Sequence, residues 1–332
     1  MFTKKICRFI SNKLDRVRFL DGMGFYNRLS DEKYLKKMFK IRTGRDLDLE
    51  NPQTYNEKIQ WLKLYDRKPT YVTMVDKCEA KKYIADCIGE EFVIPSIGVW
   101  DKFDDIDFDV LPKQFVMKCT HDSGGIVIVR DKEALNRKIV RKKINKRMRT
   151  NYFYQGREWP YKDIKPRIII EEYISAQKSK KKQDDIANAN SIDCEELQDM
   201  YGLLDYKFMC FDGKVRAMFL DIGVVGESCG HAKEYYRNVY DKYGKLLPVL
   251  ETRKNYPKDV VLPDNLSEMV KIAEKLSKGI SHLRVDLYRL NTGEIKVGEL
   301  TFFHGSGLSN VFYPADWDLT FGNWITLPPK NQ

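Results

Sequence analysis

Apolar positions change their rhythm along the chain. Phe2, Ile6, Phe9, Ile10, Leu14 and Val17 recur at helical spacing through residues 1–20, with Lys and Arg between them. Helical spacing returns over 29–87, punctuated by Gly44 and by Asn51-Pro52. From Phe92 the texture turns to short β-rich runs: FVIPSIGVW, QFVMK and GIVIVRD, then RIIIEEYI, DYKFMCF and KVRAMFLD. Between the third and fourth runs lie a basic helical stretch to Arg149 and an aromatic loop, NYFYQGREWPY. Asp212-Gly213 marks a hairpin turn. A helix is expected over 266–278, with Asn265 as N-cap, Glu268 behind it and Gly279 closing its end. The order is α, then α+β with mainly antiparallel hairpins; no βαβ series points to a doubly wound sheet.

The stretch 283–305, LRVDLYRLNTGEIKVGELTFFHG, puts one acid in each strand of a hairpin. Leu283, Val285 and Leu287 share one face; Ile295, Val297, Glu299 and Thr301 share a face of the second strand. A two-residue Thr292-Gly293 loop pairs Asn291 with Glu294, and so places Asp286 opposite Glu299. Like charges there are unfavourable unless a divalent cation or Arg284 offsets them. A one-residue slip would separate the acids onto opposite faces.

Composition narrows the function. With 332 residues and 42% hydrophobic content, the chain is globular and large enough for two or three packed units. No apolar run reaches the ~20 residues of a membrane span. The N-terminus lacks a signal-peptide core. Seven scattered cysteines without a Cys-x-x-Cys pair suit a reducing, cytoplasmic setting. Four histidines without ligand spacing argue against a zinc site. The net charge of +10 favours anionic partners. It is concentrated in Arg137–Arg149, read as a solvated helix with Leu135, Ile139 and Met148 inward, and in Lys178–Lys182, within a polar insertion from Ser175 to Asp199. No nucleic-acid-binding signature accompanies either run, so no nucleic acid is expected. Residues 1–20 are read as a helix packed on its own protein; the second reading is peripheral contact with the inner face of the membrane.

Chemistry concentrates at QFVMKCTHDSGGIVIVRD. A strand ends at Lys118, and a polar loop with Gly124 and Gly125 lets backbone N–H groups approach a ligand. A lysine there meets phosphate as a point charge. Neither a Walker A nor a GxGxxG motif is present. Where RIIIEEYI ends, a nucleotide base could bond backbone groups around Glu172 and Ile174, with Glu171 accepting from its amino group.

From about Val75 to Trp324 this pattern resembles the ATP-grasp superfamily, and more closely its TupA-like branch, met among bacterial capsule and surface-polysaccharide proteins. The phrases NPQTYNEKIQWLKLYDR (51–67), IPSIGVWDKFDDIDFDVLP (94–112), GREWPY (156–161) and DYKFMCFDGK (205–214) carry the closer likeness. The resemblance implies an α+β fold of two lobes gripping ATP: a helical region over 1–74, a small lobe over 75–172 and a C-terminal lobe over 173–332. It implies Lys118 on the strand before a phosphate-covering loop, Ser123-Gly124-Gly125. It implies an adenine linker at Glu171, Glu172, Tyr173 and Ile174, a ribose-binding acid at Asp205, and Arg237 on the triphosphate. Arg284 and Asp286 resemble the Arg-x-Asp of D-alanine–D-alanine ligases; Asp286 and Glu299 would hold Mg²⁺. Thr301 stands where the superfamily commonly has Asn as a third ligand.

The implied activity is an ATP- and Mg²⁺-dependent carboxylate–amine ligase, one that could join an amino acid to a uronic-acid-containing glycan, with Tyr152, Tyr154, Trp159 and Tyr161 as candidate sugar-stacking rings. The alternative is a glycosyltransferase of the same pathway, resting on the Asp-x-Asp matches Asp105-Ile106-Asp107 and Asp107-Phe108-Asp109.

Overall fold

The computed structural model describes residues 13–175, 190–223, 235–308 and 311–330. The Lys178–Lys182 run, most of the polar insertion and residues 1–12 lie outside them. Of the N-terminal helix, Lys13–Gly22 is described; Val17 and Leu20 pack against the core while Leu14 and Phe19 are exposed.

Four helices follow: Asp31–Thr43, Tyr55–Tyr65, Thr70–Val75 and Glu79–Ile88. Gly44 closes the first, with φ of 76° and its N–H on the Lys40 carbonyl. The second begins with a capping box, in which the Thr54 hydroxyl accepts from the Glu57 N–H and the Glu57 carboxylate accepts from the Thr54 N–H. Its start packs so closely on the helix Trp317–Asn323 that a Cβ at Gly322 would stand 2.1 Å from the Gln53 carbonyl. Asp318 completes that seam by accepting from the Asn56 backbone and side chain.

Strands β1 (Ser96–Trp100), β2 (Phe115–Cys119), β3 (Ile126–Val129) and β4 (Ile168–Glu172) form an antiparallel sheet ordered β1-β4-β2-β3. The basic helix, Arg137–Met148, lies against it. Val140 and Ile144 point inward, whereas Ile139, expected inward, is 65% exposed. The phase moves because Asn136 caps the helix by accepting from the Ile139 N–H, which sets where the first turn faces.

The remaining strands are β5 (Ser191–Asp193), β6 (Asp205–Phe211), β7 (Lys214–Ile222), β8 (Tyr236–Tyr240), β9 (Leu250–Glu251), β10 (Asp259–Val261), β11 (His282–Arg289), β12 (Ile295–Thr301) and β13 (Phe312–Tyr313). Five build a second antiparallel sheet, β12-β11-β6-β7-β8; β5 pairs with β10 and β9 with β13. Among the described residues no helix is long and apolar enough to cross a membrane.

The core divides in two. Phe103 to Ile170 furnish a small core behind the first sheet. The N-terminal helices share one large core with the second sheet and with the helix Leu266–Leu276. Asn265 precedes that helix without capping it. Its side chain donates to the Gly293 carbonyl and accepts from Arg289, so it clamps the β11–β12 turn instead.

Candidate active site

The β11–β12 hairpin does place Asp286 opposite Glu299, by a different route from the expected one. Leu290 and Glu294 close a three-residue turn, Asn291-Thr292-Gly293, which pairs Leu287 with Val297. A bulge at Gly298 then restores the offset. It also switches faces: Val297 and Leu300 both turn into the core, opposite Leu287 and Val285. Glu299 and Thr301 face the other way, with Asp286 and Arg284. A Cβ at position 298 would lie 2.7 Å from the Tyr288 ring, so the bulge depends on glycine.

Arg284 donates through Nε and a terminal nitrogen to both oxygens of Asp286, at 2.6 and 2.7 Å. From β6, Lys207 contacts Asp205 and stands 3.4 Å from Asp286. Burial alone would raise Asp286; Arg284 and Lys207 outweigh it and hold the carboxyl below its ordinary value. Burial pushes Asp205 up to about 6, against the pull of Lys207. Glu299 is the more open acid, 3.7 Å from Lys77 and 3.9 Å from Arg284.

Opposite the hairpin stands the β2–β3 loop. Asp122 shapes it by accepting from the Gly125 N–H at 3.0 Å and from Arg147 Nε at 2.5 Å. Lys77 donates to the Asp122 carbonyl, and Arg147 to that of Ser123. Gly124 has a φ of 106°, and a Cβ at Gly125 would meet Asp122 at 2.6 Å. His121 bonds backbone groups at the end of the basic helix. His121 and Asp122 thus build the loop.

Three adjoining cavities result. One of about 270 Å³ runs between the sheets, with Val116, Ile128 and Leu203 among its walls, and Lys118, Glu171, Glu172, Tyr173, Ile174 and Asp205 also line it. A second, of about 180 Å³, is lined by Lys118, Ser123, Gly124, Gly125, Asp205, Arg284, Asp286 and Glu299. A third, of about 620 Å³, shares Ser123, Arg284 and Glu299 with the second and adds Thr301.

Two of the candidate residues are held by buried protein partners. Arg237 lines none of these cavities. Its guanidinium donates to both oxygens of Asp221 and to Glu251 in a buried ion cluster, and Asp221 in turn stands 3.6 Å from Lys207 of the second cavity. Glu171 is 4% exposed, and its two oxygens take Lys81 at 2.7 Å and Lys118 at 2.5 Å. In this structure it serves as a base for the two lysines while lining the first cavity. Burial opposes its charge, but the two lysines hold its pKa below the ordinary value.

Sequence reasoning missed Lys77, Lys207 and Tyr288, which line the second cavity. Lys207 was within reach: two residues after Asp205 on a strand, it shares that face. It also missed Glu158 and Lys63. Glu158 is 4% exposed, faces the third cavity, and is pushed by burial up to about 7. Lys63, fully buried, donates to Ser306 and the Gly156 carbonyl, and burial lowers it to about 7. Of the four candidate stacking rings, Tyr152 and Tyr161 line the third cavity; Trp159 packs on Tyr71 and Tyr154 under Arg157. The acids of the Asp-x-Asp matches line none of the three cavities.

The donor set suits Mg²⁺. That ion takes hard oxygens, one or two carboxylates beside phosphate and water. Asp286 and Glu299 supply two carboxylates. The Thr301 hydroxyl and one Asp205 oxygen are buried without hydrogen-bond partners. Among the described residues no cluster of three or more His, Cys, Asp or Glu forms a metal cage.

Two facing antiparallel sheets, a glycine-containing loop and an acidic hairpin over one polar chamber define an ATP-grasp protein. The profile of the TupA-like ATP-grasp proteins matches residues 57–326. The chain belongs to the TupA-like ATP-grasp family. No protein of curated function matches it. Among solved structures it is similar to D-alanine–D-alanine ligase from Bacillus anthracis, at 19% identity and a TM-score of 0.37, covering 74% of this chain and 62% of that one. It is also similar to an L-amino acid ligase from Bacillus licheniformis, at 14% identity and a TM-score of 0.43, covering 84% of this chain and 57% of that one. The chain thus spans less than two thirds of either ligase.

Proposed function

We propose that this protein is an ATP- and Mg²⁺-dependent ligase that joins a carboxylate to an amine in the assembly of a bacterial surface polysaccharide, in the cytoplasm. The observation that carries the reading is the junction at the second cavity. Lys118, the Gly124-Gly125 backbone and the Asp286–Glu299 pair converge there, between an apolar-walled cavity and a large polar one. The first takes the adenine, with Tyr173 and Ile174 at its edge and Asp205 toward the ribose. The second takes the phosphates, and the third the two substrates.

Mg²⁺ held by Asp286 and Glu299 would neutralise phosphate charge and polarise the γ-phosphoryl group. Arg284 orients Asp286, and Lys118 and Lys207 add positive charge. A substrate carboxylate oxygen attacks the γ-phosphorus, the bond to the bridging oxygen breaks, and ADP leaves. The amine then attacks the acyl phosphate carbon, loses a proton and expels inorganic phosphate. Activation is needed because a carboxylate is a poor electrophile.

The test is ADP release with Mg²⁺ across uronates and amino acids, alongside ATP titration calorimetry. ATP binding that Asp286→Asn and Glu299→Gln both weaken, with amide formation for one substrate pair, is expected. Absence of ATP binding by the folded parent overturns the reading.

A further inference from the structure

The end of the third cavity remote from the hairpin is built by the N-terminal helices and the basic helix, and its charges are unbalanced. Arg42 lines it from the end of the helix Asp31–Thr43. The side chain is half-buried, and among the described residues no carboxylate comes within ion-pair distance of it. Its neighbour Arg18 is also a cation, and burial and then Arg18 lower the Arg42 pKa. A half-desolvated cation beside another cation is unfavourable until an anion joins it.

Asp21 lines the same end. One of its oxygens accepts from the Tyr34 hydroxyl at 2.9 Å; the other, Oδ1, is buried without a hydrogen-bond partner. Burial raises Asp21 against the pull of Tyr34, Arg42 and Arg157, so its charge offsets part of that of Arg42 without an ion pair. Lys146 adds a further positive charge at the mouth. Arg18 is mostly exposed and has Asp15 at 3.9 Å, so among the described residues the site offers one unpaired guanidinium, Arg42, with a second loosely paired one beside it, and an acceptor oxygen of Asp21 for a hydroxyl.

We propose that this end of the cavity binds a sugar acid, its anionic group on Arg42 and Arg18 and a ring hydroxyl donating to Asp21. The inference rests on the ligase reading for the identity of the cavity as a substrate site. It adds that one substrate carries an anionic group apart from the carboxylate being activated beside Glu299. Planar guanidinium groups donate to carboxylate and phosphate oxygens alike.

Titration calorimetry with D-glucuronate, glucose 1-phosphate and neutral D-glucose tests it, and the first two show which anion is preferred. Expected is millimolar or tighter binding of at least one anion, no detectable binding of glucose, and at least 10-fold weaker anion binding in Arg42→Met. Asp21→Asn should weaken it less. Lys138→Ala, on the exposed face of the basic helix, should bind as the parent does. Arg42→Met should melt no lower than the parent, since it removes an unpaired charge, and should keep the parent's ATP affinity. Lys118→Met should show the reverse pattern. Parent protein that binds neither anion, or Arg42→Met that binds both as the parent does, overturns the proposal. Absent ATP binding with anion binding intact would instead overturn the ligase reading alone.

Discussion

Lys118 is the most direct probe of the proposed nucleotide site, because it pairs with Glu171 and also lines the cavity assigned to the phosphates. Its ammonium is 2.5 Å from Glu171, and it lines both the apolar-walled and the phosphate cavities. Replacing it with Met keeps most of the packed stem and removes the charge. In the free protein Glu171 still has Lys81 at 2.7 Å, so no carboxylate is left unpaired and the loss should resemble one charged hydrogen bond, about 1.5–3 kcal/mol. The same range applies to the charged hydrogen bond that Lys118 would donate to phosphate, and removing it corresponds to a rise of ~10- to ~150-fold in the Kd for ATP. Lys81→Met separates the two effects. Lys81 also pairs with Glu171 and donates to the Ile94 carbonyl, yet it lines neither cavity. Its replacement should lower the melting temperature similarly while changing the Kd less than ~3-fold, about 0.6 kcal/mol. Thermal unfolding and titration calorimetry with Mg-ATP read both quantities. Equal Kd values for parent and Lys118→Met, or equal affinity losses for the two lysine variants, would refute the assignment of Lys118 to phosphate.

Arg237→Met should destabilise the fold by about 3–5 kcal/mol in urea titrations, because it removes the guanidinium shared by buried Asp221 and Glu251 and leaves them to Tyr235, Lys207 and His304; folded protein should keep its ATP affinity, and a large affinity loss without destabilisation would support the phosphate role. Glu299→Gln should raise the Mg²⁺ concentration for half-maximal ATP turnover by about 10-fold or more, a charge–charge loss; Thr301→Val should raise it less and Thr301→Asn lower it, and a harmless Glu299→Gln removes the hairpin as metal site. Gly298→Ala should cost about 1–3 kcal/mol by driving a Cβ against Tyr288, and should also raise the Mg²⁺ requirement; an unaffected variant shows that the bulge does not depend on glycine. Stability should fall steeply as pH drops below 4. Burial opposes the Glu251 charge, but His304 and Arg237 hold it at about 2, so its stabilisation, present above the unfolded value of 4.5, is lost toward pH 2. Burial keeps His282 near 3, so protonation favours the unfolded chain from 6.5 downward. Glu158 and Asp205, raised to about 7 and 6, act with the opposite sign and are already fully protonated in the fold there. Equal urea midpoints at pH 5 and pH 3 would contradict this.

What could be read in the sequence were features whose cause is local. The β2–β3 loop is legible because Gly124 and Gly125 announce their own backbone freedom and Lys118 ends the strand beside them. The hairpin at Asp212-Gly213 is equally local, whereas the cap expected at Asn265 is drawn off to the β11–β12 turn. The ion cluster at Arg237 was not legible, since its acids lie on β7 and β9, 16 and 14 residues away, and only strand pairing brings them together. Nor was the lysine pair on Glu171: Lys81 sits on a helix and Lys118 on a neighbouring strand, and their meeting depends on how the helix lies across the sheet.

The acidic hairpin shows a subtler limit. Counting from a two-residue turn reaches the Asp286–Glu299 pairing, yet the turn has three residues and the pairing is recovered by Gly298. Two one-residue shifts cancel in register. They do not cancel in facing: without the bulge, Glu299 would point into the core beside Val297. A sequence carries the register of a hairpin in its turn residues, but a bulge glycine looks like any strand glycine until the partner strand is seen. The carboxylates that the metal reading needs are therefore aimed by a residue with no side chain, and its neighbour Tyr288, also a wall of the apolar-walled first cavity, fills the space that residue leaves. The proposed metal and base sites would be coupled through that contact, so a side chain at 298 should disturb both.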